Sequence, residues 1–204
     1  MDGNTNRLLS RLPVILICLL TISNIALIAQ NLHLRGLLNN GRPGAPRPLN
    51  VKESVAGFSG KALDGSDVEV SYGSQKARRI FFYFSPDCAY CDEQFPLWKQ
   101  LMSEVDHSRY EMIGLVSDWQ ENNTVQQYLQ QRGCENLKVL KVPSAVLKTY
   151  RLSLTPMTLV VDGAGTVEGI WPGRWDERMI NDVRVFFSVT LNRSGSNRSA
   201  TAKE

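Results

Sequence analysis

The run Ile80-Phe81-Phe82-Tyr83-Phe84 leads through Ser85-Pro86-Asp87 into Cys88-Ala89-Tyr90-Cys91, after which apolar residues recur at helical spacing. The apolar run reads as a central strand and the following stretch as an amphipathic helix, so the two cysteines stand at a strand-to-helix junction. There, two thiols separated by two residues can close a small disulfide. The unpaired N–H groups and positive dipole end of the helix favour a thiolate on the first cysteine. Cys88 is therefore expected to be the nucleophile and Cys91 the resolving thiol.

The chain has 204 residues, of which about one domain's worth is globular once the ends are set aside. Leu12 to Ala29 carries no charge and has a length near the lower limit of a spanning helix, which predicts a transmembrane anchor. Arg7 and Arg11 before it favour a cytoplasmic N-terminal tail over residues 1–11, while Arg35, Arg42 and Arg47 beyond it oppose that orientation. A cleavable signal peptide is the competing reading. Ala29 has Leu27 rather than a small residue two positions before it, so the cleavage pattern is missing and an uncleaved anchor is expected. Cys18, inside the run and after Ile17, reads as a small apolar residue.

The net charge is +3, and the basic residues are scattered without interleaved aromatics, so no nucleic-acid surface is expected. His33 and His107 are too few and too far apart for a histidine metal site. Prolines and glycines in GLLNNGRPGAPRP mark residues 30–49 as a linker. The folded domain is expected over residues 50–191, followed by a small, polar, disordered tail over 192–204.

Within the domain, KALDGSDVEVS predicts a β-hairpin around Asp64-Gly65. Helices are predicted over Cys91 to Asp106, Asn123 to Arg132, Ser144 to Tyr150 and Asp176 to Leu191. Pro96 is expected to kink the first of these. Strands are predicted over Glu111 to Ser117, Leu137 to Val142, Met157 to Val161 and Thr166 to Trp171, the last two joined by the Asp162–Gly165 turn. This order argues for an α/β fold, a mixed sheet with helices on both faces.

Four features at compatible spacing, namely the strand running into CAYC, Pro96, Thr155-Pro156 before a strand, and the VVDGAGTVEGIWPG hairpin, resemble the thioredoxin fold over nearly all of residues 50–191. The resemblance implies a cis Pro156 beside the disulfide and a Thr155 backbone that pairs with an extended substrate segment. With the added N-terminal hairpin and anchor, the chain looks most like the TlpA/ResA branch of extracytoplasmic thiol-disulfide oxidoreductases. It is also similar to the thioredoxin-like protein of methylamine dehydrogenase maturation. These resemblances imply a single-pass protein on the periplasmic face of a bacterial inner membrane. They also imply a disulfide-containing protein substrate, of the cytochrome c or metal-centre maturation type, and a membrane thiol-disulfide electron donor. No cofactor is implied beyond the redox-active Cys88–Cys91 disulfide.

Departures from that branch bear on redox poise. Asp87 stands where the branch often has Trp and should oppose the Cys88 thiolate. Gln94 replaces a frequent Glu and cannot titrate, which leaves Asp92 or Glu93 for any proton transfer. Phe82 occupies the place of thioredoxin's buried Asp. Ala89 and Tyr90 also contribute to the poise.

Other readings of the dithiol are weaker. A structural disulfide this tight removes little chain entropy, and zinc requires four ligands where no second CxxC exists. Two soft thiolates suit copper(I), so a non-enzymatic copper chaperone is the main alternative. A thiol peroxidase is a further one, although Phe81 stands where the peroxidatic motif has proline. Cys134 reads as a small buried residue. Trp171, Arg174 and Trp175 read as core and solvated charge ahead of a partner surface.

Overall fold

The computed structural model describes residues 16–33, 49–73 and 78–192. The expected N-terminal tail, nearly all of the C-terminal tail and most of the linker lie outside these residues, as does the start of the predicted anchor at 12–15. The chain divides into two units, Met1–Arg47 and Pro48–Glu204.

In the first unit, α1 (Leu16–His33) has a mean hydropathy of 1.5 and is long and apolar enough to cross a membrane. At 1.5 Å rise per residue it spans about 27 Å, close to the hydrocarbon thickness of a bilayer. Its polar side chains are satisfied within the helix. Thr21 Oγ1 donates to the Cys18 carbonyl at 2.9 Å, and Asn24 Nδ2 to that of Leu20 at 3.0 Å. Satisfied internally, these groups cost less in lipid.

The second unit contains, in chain order, β1 (Phe58–Ala62), β2 (Asp67–Val70), β3 (Arg78–Tyr83), α2 (Ala89–Glu104), β4 (Tyr110–Ser117), α3 (Asn122–Gln131), β5 (Lys138–Val142), α4 (Ser144–Thr149), β6 (Met157–Val161), β7 (Val167–Pro172) and α5 (Glu177–Phe187). The strands form one sheet in the order β2-β1-β5-β4-β3-β6-β7. Strands β3, β4 and β5 are parallel, and β6 and β7 complete one side as an antiparallel pair. The N-terminal hairpin joins the other edge through Lys61 opposite Lys141 and Ala62 opposite Leu140. Gly65, at φ 90, supplies the left-handed residue of its turn.

Alternation along β3 divides the core. Ile80, Phe82 and Phe84 face a layer built by Phe95, Trp98 and Leu101 of α2, Val125 and Leu129 of α3, and Ile180 and Val183 of α5. Phe81 and Tyr83 face a second layer with Phe58, Leu115, Leu140, Tyr150 and Leu159, which Leu49 and Val55 also enter. With both faces covered, β3 can be an unbroken apolar run.

Element ends depart from expectation where local chemistry intervenes. Helix α2 begins at Ala89, with Cys88 as its N-cap, and runs through Pro96. Asp176 caps α5 by accepting from Met179 N at 2.8 Å. Ser188, at φ 57, ends that helix short of Leu191, which is nonetheless buried.

Arg79, 3% exposed, is held by Glu111 Oε2 at 2.9 Å and the Ser71 carbonyl at 2.7 Å. Burial raises the Glu111 carboxyl, but hydrogen bonds from Arg79 and Lys138 outweigh it and hold the group below its ordinary 4.5. Because the folded-state value is depressed, this contribution is complete above the unfolded value and is lost as pH falls through the folded one. We predict that Glu111→Gln destabilises the fold by about 1.5–3 kcal/mol at neutral pH. The loss should shrink as pH falls below about 4, measured by urea unfolding across pH.

Candidate active site

The end of β3 determines where the cysteines stand. Phe84 N donates to the Leu115 carbonyl at 3.1 Å, still following the parallel register with β4, and the chain then turns through Ser85–Asp87. Cys88 N donates to the Ser85 carbonyl at 3.1 Å and Cys91 N to the Cys88 carbonyl at 2.9 Å, which closes the first turn of α2. Cys88, Ala89, Tyr90 and Cys91 thus occupy the helix start. Both of these cysteines are free thiols.

The two thiols differ in exposure and in acidity. Cys88 is partly exposed, and Cys91 is fully buried. Burial raises the Cys88 thiol, but hydrogen bonds from the Cys91 and Thr155 side chains and from the Cys91 and Tyr90 backbone N–H groups outweigh it. The net value lies below that of an ordinary thiol. For Cys91, burial acts first and the hydrogen bond to Cys88 adds to it, so the thiol is pushed up to about 12. An accessible sulfur biased toward thiolate therefore lies beside a buried one held as thiol.

The Thr155-Pro156 peptide bond is cis, and Pro156 is buried. In the thiol form, Cys88 Sγ donates to the Thr155 carbonyl at 3.5 Å. The structure thus brings together Cys88, Cys91, Thr155 and Pro156, from segments 67 residues apart.

The residues expected to modulate the site behave unevenly. Asp87 is exposed and lies 3.4 Å from Gln120 Nε2, and it is not among the leading influences on Cys88, whose shift is downward overall. Ala89 and Tyr90 are exposed on the first turn. Gln94 is fully buried, and its Oε1 accepts from Trp175 N at 2.8 Å. A proton-transfer role for Asp92 or Glu93 does not fit their surroundings. Asp92 accepts from Tyr128 OH at 2.9 Å and pairs with Arg132, while Glu93 pairs with Arg174. Three consecutive side chains thereby fasten the helix to two other parts of the fold, the C-terminal end of α3 and the connection between β7 and α5. Trp171 and Trp175 are core residues, and Cys134 is buried away from the dithiol, lining a cavity of about 560 Å³ with Met102, His107 and Leu137.

Sequence reasoning missed Gln120, whose Nε2 donates to Ser85 Oγ at 3.1 Å and braces the turn before Cys88. It also missed the exposed Trp119. An indole in the polar stretch Ser117-Asp118-Trp119-Gln120-Glu121 is the signal that could have found it.

No family model and no curated protein matches the chain. Solved structures do resemble it. The thioredoxin domain of a thiol-disulfide oxidoreductase from Bacteroides vulgatus has 15% identity and a TM-score of 0.53, covering 68% of this chain and 99% of that one. StoA from Bacillus subtilis has 12% identity and a TM-score of 0.50, covering 64% and 96%. A peroxiredoxin-like protein from Aquifex aeolicus has 13% identity and a TM-score of 0.53, covering 69% and 90%. The globular unit has the thioredoxin fold with an added N-terminal hairpin.

We predict that Cys88 is alkylated by iodoacetamide before Cys91, with a rate–pH midpoint below the ordinary thiol value. Cys91→Ala removes a hydrogen-bond donor to the thiolate and should move that midpoint upward. Stopped-flow alkylation across pH measures both.

Proposed function

We propose that the chain is a thiol-disulfide oxidoreductase that reduces disulfides in partner proteins. The observation that carries this reading is the asymmetry of the dithiol. Cys88 is reachable and biased toward thiolate at the N-cap of α2, while Cys91 is buried and retains its proton.

In the forward step, the Cys88 thiolate attacks one sulfur of a substrate disulfide. The substrate S–S bond breaks as the mixed disulfide forms, and the departing thiolate takes a proton from solvent. Cys91 then loses its proton and attacks Cys88 Sγ, closing Cys88–Cys91 and releasing the second substrate thiol. Two electrons pass to the substrate, and the protein disulfide must be reduced again by a thiol donor. Burial, reinforced by the neighbouring Cys88 thiolate, keeps Cys91 protonated, and forming the mixed disulfide removes the thiolate's share and eases the second step.

Thr155 and Pro156 are proposed to seat the substrate segment against Cys88. The observation that supports this is the 3.5 Å approach of Cys88 Sγ to the Thr155 carbonyl. Helix α1 is proposed as a membrane anchor that keeps the catalytic domain on the extracytoplasmic side. The periplasmic face of a bacterial inner membrane is the compartment that fits an anchored reductase of this fold, and maturation of cytochromes c or metal centres is the substrate type.

Cys91→Ser in the full chain should accumulate a mixed disulfide through Cys88, visible as a reductant-sensitive adduct by mass spectrometry. The wild-type Cys88–Cys91 couple should be more reducing than about −120 mV, the value of a strong oxidant. Failure of the folded, membrane-inserted Cys91→Ser protein to form any adduct with a model protein disulfide would sink the exchange reading. A potential near −120 mV would instead reverse its direction.

A further inference from the structure

Among the described residues of the globular unit, the exposed large apolar side chains are Val51, Tyr90, Trp119, Leu154 and Val185. Three of them stand on the segments that meet at Cys88. Tyr90, 61% exposed, lies between the two cysteines. Leu154, 44% exposed, directly precedes Thr155, whose carbonyl meets Cys88 Sγ at 3.5 Å. Trp119, 68% exposed, is placed by its neighbour Gln120, whose Nε2 reaches Ser85 Oγ at 3.1 Å and Asp87 Oδ2 at 3.4 Å on the turn that leads into Cys88. The loop that carries Trp119 is held at its base, since Asp118 N donates to the Val142 carbonyl at 3.0 Å and Gln120 N to the Ser117 carbonyl at 3.1 Å. An indole left mostly in water on a braced loop adds little to the packing of its own domain, and Trp and Tyr are the side chains that dominate binding when a partner buries them.

Two carboxylates near this collar are unpaired. Asp87 and Asp118 are both exposed and take part in no ion pair among the described residues. Of the cations nearby, Arg132 is paired with Asp92 and Arg174 with Glu93, while Lys141, which lines a pocket with Asp118, donates to the neutral Asn122 Oδ1 at 2.8 Å and keeps its charge, so Asp87 is the stronger of the two attractors.

We propose that Trp119, with Tyr90 and Leu154, selects the substrate of the dithiol. The partner is an extended, disulfide-bearing polypeptide segment with a large apolar side chain and a Lys or Arg next to its cysteine. The apolar side chain covers the indole, and the cation lies between Asp87 and Asp118. The two carboxylates argue against the other occupant of an exposed aromatic collar, an anionic bilayer surface, which they would repel. This inference rests on the oxidoreductase reading and adds a substrate class to it.

The test uses the full chain in detergent micelles with its dithiol reduced. Single-turnover rate constants are measured for two peptides, each carrying a cysteine capped by 2-mercaptoethanol as a mixed disulfide. One has Lys and Phe beside the cysteine, and the other has Gly at both places. Wild type should favour the Lys-Phe peptide by about tenfold. Trp119→Ser should collapse that ratio toward one, and Asp87→Asn with Asp118→Asn should reduce it and remove its dependence on salt. Val185→Ser, an equally exposed apolar site on α5, should leave the ratio at the wild-type value.

Exchange with both peptides at a ratio that Trp119→Ser does not change overturns this inference while the oxidoreductase reading stands. No exchange with either peptide removes the reading itself. A third arm addresses the membrane. A blue-shifted Trp119 emission in phosphatidylcholine–phosphatidylglycerol vesicles, taken as wild type minus Trp119→Ser, together with no peptide preference, would assign the collar to lipid and overturn the proposal.

Discussion

The site depends on a helix that must begin where a fully buried strand ends. Strand β3 is flanked by β4 and β6 and covered on both faces, so it can leave the sheet only at its end, through Ser85–Asp87. Helix α2 then starts with N–H groups that have no partner inside the helix. At this N-terminus no side chain of the N-cap residue bonds back to the helix. The sulfur of Cys88 lies beside the Tyr90 and Cys91 N–H groups, and its thiolate supplies the acceptor they lack. One geometric requirement of the fold thus orients the helix start and adds to the lowering of the Cys88 thiol by the Cys91 and Thr155 side chains.

A reactive group at a helix end is useful only if that end does not fray, and the three residues after Cys91 address this in turn. Asp92 is tied to Tyr128 and Arg132 on the α3 side, and Arg132 also stacks 3.5 Å over the Tyr128 ring. Glu93 and Gln94 reach the opposite side, to Arg174 and to the backbone of Trp175. The Gln94 contact carries a cost, because its Nε2 is buried without a partner among the described residues. An orphaned donor of this kind costs about 1–3 kcal/mol. A carboxylate there would accept the same Trp175 hydrogen bond without the orphan, but would place a titratable charge beside the dithiol. The neutral amide keeps the clamp and leaves proton exchange to the thiols.

Much of this was legible in the sequence because the strongest signals are local. The apolar run of β3, the helical spacing of Phe95, Trp98 and Leu101, and the Asp162–Gly165 turn each specify an element within a few residues. The place of β5 between β1 and β4 was not legible, since Lys138–Val142 pairs with segments distant in sequence on both sides. The end of α5 at Phe187 escaped for a related reason. Leu191 continues the helical spacing and is buried, but the left-handed Ser188 carries it there outside the helix. At the site, the cysteines and Pro156 came from motif and resemblance. The restraints on Asp87, Asp92 and Glu93 depend on Gln120, Arg132 and Arg174, which lie between 33 and 81 residues away.

The source of the Cys88 shift also bears on direction. Stabilising a thiolate stabilises the reduced dithiol and makes the couple more oxidising, as in the strongly oxidising members of the CxxC class. A neighbouring cation is an effective means of doing so. The groups that lower Cys88 here are the Cys91 and Thr155 side chains and two backbone N–H groups, all of them dipoles, and burial acts against them. Arg132 and Arg174, the guanidinium groups that reach α2 near its start, are both neutralised by carboxylates on the helix itself. The reduced form therefore gains its stabilisation from dipoles rather than from charge. The acidic residues of α2 thus have two roles: they hold the helix start in place, and they compensate the positive charge that would otherwise stand near Cys88 Sγ.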